Sequence, residues 1–236
     1  MFGRRNPTQA PAQSQRRGED PEPAEEVVGS GVDGAPGTHV FGPYDAEAPP
    51  DDRLGRLDLG SIRIPVPEGA QLQIEVDSTG PVRAVHLTTE LGQITLTAYA
   101  APRSGGLWDE VVPELVTKLQ ADGAQVGRAA GEWGEEVEAV TEQGVLRFVA
   151  VDGPRWMLRG VAAGPADGAQ ARADLLCDVV RQTVVVRGTE PLPVRSPLPL
   201  QLPDALAEQL KQVTTELVNA ATSGNSAQDE GAVLGA

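Results

Sequence analysis

The sequence predicts an α+β domain, a mainly antiparallel sheet covered by two helices, with disordered tails at both ends. Three observations carry this reading. Apolar runs that alternate or are rich in β-branched residues recur between Gly and Pro. Two stretches repeat apolar residues at helical spacing. The element order also lacks the β-α-β alternation of a parallel, doubly wound sheet. The expected order is four strands, a helix, four strands, a helix and a last strand, filling residues 41–190.

At 236 residues the chain has room for one ordinary domain plus extensions. Residues 1–17 hold Arg4, Arg5, Arg16 and Arg17 and no acid, whereas 18–52 hold ten Asp or Glu and no Lys or Arg. Residues 1–40 are rich in Pro, Gly, Gln and Glu. They have too few large apolar side chains to offset chain entropy, which predicts disorder. Order is expected from Phe41 and Tyr44 onward, with Leu54, Leu57, Leu59 and Ile62 following.

Strands are predicted at 61–64, 71–77, 82–89 and 93–100. The run Gln93-Ile94-Thr95-Leu96-Thr97 alternates cleanly, so one face there is wet. Leu107, Val111, Leu115 and Leu119, widened by Val112 and Val116, predict an amphipathic helix ending near Asp122-Gly123. With Asp109 as its N-cap, Pro113 falls in the first turn, where no intrahelical donor is lost. Strands at 125–128 and 136–141 lead to the clearest signal in the chain. Residues 145–151 and 156–163 form a hairpin around Asp152-Gly153-Pro154, with Phe148 and Trp156 as core anchors. Asp167 and Gln170 offer a capping-box-like start for a helix at 168–182, whose stripe is Ala171, Leu175, Cys177, Val179 and Val180. A strand at 183–186 closes the domain.

Pro191, Pro193, Pro197, Pro199 and Pro203 mark residues 191–203 as an extended, semi-rigid linker, and their spacing does not make a PxxP ligand. Leu206, Leu210, Val213 and Leu217 then form a narrow apolar seam on a helix at 204–220 that Asp204 caps. At about fifteen residues such a helix is marginal alone. It needs its own domain, a second copy or a partner to lie against. Residues 221–236 are expected to be disordered.

The net charge of -15 opposes generic binding to nucleic acid or anionic lipid. No apolar run approaches the roughly 18 residues of a membrane span, the N-terminus has no apolar signal core, and Cys177 is the single cysteine. A cytoplasmic protein is expected. The spacing Gly29, Gly31, Gly34 matches a dinucleotide fingerprint but sits in the acidic tail, with no strand before it and no helix after. His39 and His86 are far apart and no Cys/His cluster has ligand spacing, so no metal and no cofactor is expected. His86 reads as a hydrogen-bonded strand residue and Cys177 as a small hydrophobe.

Two places remain as candidate binding residues. Arg103, Ser104, Gly105 and Gly106 precede a helix N-terminus, where glycines let amides approach an anion, although Asp109 and Glu110 repel phosphate there. Arg155 and Arg159 would share one strand face, with Arg147 on the neighbouring strand. Alternatively, these arginines pair with acids such as Asp152 or Glu138.

Several blocks together carry a resemblance: Gly42-Pro43-Tyr44-Asp45, Arg56-Leu57-Asp58-Leu59-Gly60-Ser61, the run from Ala100 to Glu110, the run from Val151 to Val161, Gly164-Pro165, and Val184-Val185-Val186-Arg187-Gly188. From about Phe41 to Pro203 the chain resembles an actinobacterial family designated domain of unknown function 3710, in which Phe often stands where this chain has Met157. The resemblance implies domain limits and brings no activity or catalytic residue. The element order is similar to that of Mog1- and PsbP-type α/β/α sandwiches, which implies a binding module. Two functional readings follow. The first is a non-catalytic interaction domain that takes a protein partner or a second copy, using in part the seam Leu206, Leu210, Val213 and Leu217. The second is a small-molecule or anion-binding domain, enzyme or not, that uses the loop of Arg103, Gly105 and Gly106.

Overall fold

The computed structural model of the protein describes residues 42–76, 82–203 and Glu208. The tails expected at 1–40 and 221–236, the glycine pattern at 29–34, His39 and the seam Leu206, Leu210, Val213 and Leu217 lie outside the described residues. The elements are β1 (Tyr44–Asp45), β2 (Arg56–Asp58), β3 (Ile62–Pro65), β4 (Gln71–Val76), β5 (Val82–Thr89), β6 (Gly92–Ala100), α1 (Leu107–Ala121), β7 (Gln125–Gly131), β8 (Gly134–Thr141), β9 (Gly144–Gly153), β10 (Trp156–Gly164), α2 (Ala169–Arg181) and β11 (Val184–Val185).

Seven strands pair antiparallel in the order β4-β5-β6-β10-β9-β8-β7, as expected of a mainly antiparallel sheet with two helices. A second sheet, β1-β11-β3-β2, contains one parallel pair, β1 with β11. Its strands β1 and β2 have two and three residues, too few to show a periodicity in sequence.

Side-chain alternation assigns the central strands to two cores. Leu96, Ala98, Val149, Val151 and Leu158 point to the side of α2 and β3, where they meet Leu176, Val180, Ile62 and Ile64. Phe148, Ala150 and Met157 point the other way and meet Leu107, Trp108 and Val112 of α1. The close approach of α2 to the sheet depends on Gly160, where a Cβ would lie 2.8 Å from Leu176 and 3.2 Å from Leu96 and Val180.

Both helices begin differently from the sequence reading. The N-cap of α1 is Gly106, in the left-handed conformation at φ 78°, so the helix starts before Asp109 and Pro113 sits in its second turn. There the proline leaves the Asp109 carbonyl without its helical donor. Burial of Leu107 and Trp108, 0 and 3 % exposed, outweighs that loss. The N-cap of α2 is Gly168 at φ 74°, not Asp167, and Gln170 instead donates to the Asp174 carboxylate at 2.9 Å. The buried stripe of α2 is Arg172, Ala173, Leu176, Val179 and Val180, while Ala171 is exposed. Arg172, only 1 % exposed, donates to the carbonyls of Leu91 and Pro165 at 2.8 Å each. Its charge is thereby solvated by backbone dipoles at the β5–β6 turn and the α2 lead-in.

The proline-rich residues 191–203, expected as an extended linker, are extended and docked into the large sheet. β5 and β6 pair only from His86 to Thr89 against Gly92 to Thr95. Beyond that they diverge, and the segment runs between them. Arg195 N–H donates to Ala100 O, Ala100 N–H to Ser196 O and Leu198 N–H to Ala98 O, each at 2.8 Å. Pro197 and Pro199 alternate with those donors, so the missing N–H groups are never needed by β6. Leu200 bridges Val82 and Gly60, and Leu198 is 4 % exposed.

Candidate functional site

The arginine-glycine loop ahead of α1 does not present free amides to solvent. Asp152, from the end of β9, reaches the start of α1, where its Oδ2 accepts the Trp108 N–H at 3.3 Å. Burial pushes the Asp152 carboxyl above the usual aspartate value, while the Trp108, Leu107 and Gly106 amides pull it down. The helix N-terminus therefore holds the protein's own carboxylate at the place the sequence offers as a candidate anion site. Arg103 and Ser104 are exposed on this loop, and Gly105 and Gly106 turn the chain at φ 68° and 78°.

The arginines expected along one face separate. Arg147 pairs across strands with Glu136 at 2.8 Å and Glu138 at 3.3 Å, as the ion-pair alternative has it. Arg159 lies on the α1 side of the sheet, its guanidinium 5.0 Å from the centre of the Tyr99 ring. Arg155 occupies the β9–β10 turn at φ 61° and lines a cleft with Asp45 and Arg187. Arg155 in the turn and Arg159 against Tyr99 thus lie in different settings.

His86 Nδ1 lies 2.7 Å from Thr95 Oγ1, which makes it a hydrogen-bonded strand residue. Cys177 is half-buried, and burial, reinforced by Glu136, pushes its thiol up to about 11. That thiol is protonated at neutral pH and a poor nucleophile. Among the described residues no group of three or more His, Cys, Asp or Glu is arranged to hold a metal ion, and no helix is long and apolar enough to cross a membrane.

A surface that sequence reasoning did not single out is the outer edge of the large sheet. β7 pairs with β8 without a break in register from Gln125↔Val140 to Gly131↔Gly134, and among the described residues it has no strand on its other side. Six of its seven residues are exposed, Val126 being the exception. Edge strands are commonly protected by Pro, Lys, a bulge or brevity. β7 has none of these among its residues Gln-Val-Gly-Arg-Ala-Ala-Gly. Its one charge, Arg128, is tied back to Glu135 of the same hairpin. A shallow hollow of about 490 Å³ adjoins it, lined by Arg128, Ala129, Ala130, Gly131, Gly134 and Glu135. The sequence signal was available in the small residues, but which strand becomes an edge depends on the sheet order.

The fold and these surfaces define an α+β domain with two helices on a seven-stranded antiparallel sheet, one edge of which has no strand beside it among the described residues. The chain belongs to the family described as Protein of unknown function (DUF3710), whose model matches residues 42–209. No curated protein and no solved structure matches the chain.

Proposed function

We propose that this chain is a non-catalytic, cytoplasmic protein-interaction domain that accepts an extended segment of a partner along β7. The edge that the described residues leave unpaired carries the reading: seven residues present a row of backbone donors and acceptors with small side chains between them. A partner strand gains main-chain hydrogen bonds there and meets little steric resistance from Gly127, Ala129, Ala130 and Gly131. The net charge of -15 makes two copies repel, which favours a different protein as the occupant. The seam Leu206, Leu210, Val213 and Leu217 is proposed as a second contact.

The experiment is affinity capture from the source cell with the full chain and with a Gly127→Lys/Ala129→Lys variant, since Lys blocks edge pairing. A Cβ at Gly127 meets nothing within 4 Å, so the variant is expected to melt like the wild type. A stoichiometric partner retained by the wild type and lost by the variant supports the edge. Capture that is equal for both, or no partner at all, overturns it.

A further inference from the structure

Arg155 stands where its conformation does not suit it. β9 and β10 are joined through Pro154 and Arg155, flanked by the pair Gly153↔Trp156. Proline fixes the first turn position near φ -65°, and Arg155 follows at φ 61°. That is the sign pattern of a type II turn, whose third residue is ordinarily Gly or Asn because a side chain is strained there. The backbone is held in place: the Arg155 carbonyl accepts the Ala101 N–H at 2.9 Å and Arg187 Nε at 3.1 Å. The side chain is not held. Among the described residues the Arg155 guanidinium has no hydrogen bond, ion pair or ring contact, although the residue is only partly exposed.

It lines a cleft of about 230 Å³ with Asp45, Glu47, Arg187 and Gly188. Arg187 uses Nε and Nη1 on the carbonyls of Arg155 and Glu190, leaving Nη2 for another acceptor. The Asp45 carboxylate is already engaged, accepting Trp156 Nε1 at 2.6 Å and the Glu47 N–H at 2.8 Å. Three segments distant in sequence, around Asp45, Arg155 and Arg187, thus converge on one hollow whose charged donors are the guanidinium N–H groups of Arg155 and Arg187.

We propose that this cleft binds a small monocarboxylate, received by the guanidinium groups of Arg155 and Arg187. Planar N–H forks match a carboxylate in two-point fashion. The volume lies below the roughly 300–1,000 Å³ of sites for drug-sized ligands, which admits a single short group and excludes a nucleotide. Asp45 and Glu47 in the lining repel a dianion, so a singly charged carboxylate is favoured over phosphate. The site is separate from the β7 edge and stands whether or not that edge binds a partner.

The full chain, labelled with ¹⁵N, is titrated with acetate and with N-acetylglycinate, using N-acetylglycinamide as the uncharged control. Saturable shifts at the amides of Ala46, Gly188 and Thr189 are expected, with a Kd of about 1–10 mM for one two-point contact. Arg155→Gly, which suits φ 61°, is expected to keep the native spectrum and lose at least about tenfold in affinity. Equal shifts in wild type and variant, no saturable shift with either carboxylate, or an equal response to the amide overturns the proposal. Tighter binding of N-acetylglycinate than of acetate supports it and assigns the carboxylate to a chain terminus. Equal binding of the two supports it for a free carboxylate.

Discussion

Two arginines in the left-handed conformation flank the end of β6, and they differ in what holds their side chains. Arg155, at φ 61°, receives the Ala101 N–H on its carbonyl. Arg195, at φ 71°, donates its own N–H to Ala100 O. The Arg195 guanidinium bonds both carboxylate oxygens of Glu114 at 3.0 and 3.1 Å and approaches Glu110, which clips the proline-rich segment to α1. The Arg155 guanidinium bonds nothing among the described residues. Both turns hold their backbone by hydrogen bonds, but only the Arg195 turn also ties down its side chain. A left-handed residue whose charged side chain the fold leaves unengaged is where a ligand is to be sought.

The largest way to break the contrast is to remove what fixes the Arg155 turn. Trp156, 2 % exposed, follows it directly, joins the core and donates to Asp45, and its ring lies so close to Gly153 that a Cβ there would overlap it. Trp156→Ala is expected to cost about 3–5 kcal/mol in urea denaturation. A loss below about 1 kcal/mol would show that the turn does not rest on the core.

Asp152 offers a smaller change on the same hairpin. Asp152→Ala removes the acceptor at the α1 N-terminus and is expected to cost about 1–2 kcal/mol, whereas Asp152→Asn retains an acceptor and costs less. The pH dependence has a definite sign. The carboxyl is raised in the folded state, so its proton is held more tightly there than in the unfolded chain. This contribution is fully present below the usual aspartate value and is lost as pH rises through the raised one. The asparagine variant should lack that decline, and matching stability-pH curves for variant and wild type would contradict the burial of Asp152.

The two arginines themselves give the smallest stability effects. Arg155→Gly relieves left-handed strain and is expected to gain about 0.5–1 kcal/mol after the entropy cost of glycine. Arg195→Gly relieves the same strain but forfeits exposed ion pairs with Glu114 and Glu110, so its balance should shift toward stabilisation as salt screens them. Thermal melts at low and high ionic strength read both, and an identical salt response would erase the distinction. Cys177 serves as a reporter with no effect of its own. Its thiol, pushed up to about 11, should react slowly with Ellman's reagent at pH 8 in the native protein and readily after unfolding. Fast native labelling would show that the α2 side of the core is open.

Much of the framework was legible in the residues because it rests on local periodicity. The hairpin of β9 and β10, the alternation of β6 and the apolar stripe of α1 all lie in runs long enough to show period two or four. The stripe read for α2 shares Val179 and Val180 with the buried face but has Ala171, Leu175 and Cys177 where the fold buries Arg172, Ala173 and Leu176. Apolar periodicity has no place for a charged residue, and only backbone carbonyls distant in sequence make the burial of Arg172 tolerable. The start of α1 was placed at Asp109 for want of knowing that Asp152 meets the helix from another strand. Of the candidate binding residues, Arg155 remains in a cleft, joined by Arg187 and Asp45, which no spacing pattern connects to it.

The sequence by itself determined the α+β class, the strand runs, the two helices and the clearest turn, since each depends on residues within a few positions of one another. Only the tertiary structure decided that β7 is an edge among the described residues, that the proline-rich segment enters the divergence of β5 and β6, and that Arg155 and Arg187 line one cleft. The physical reason is the same in each case: strand order, long-range hydrogen bonds and cleft formation are set by the packing of segments dozens of residues apart, and period and composition carry no record of that pairing.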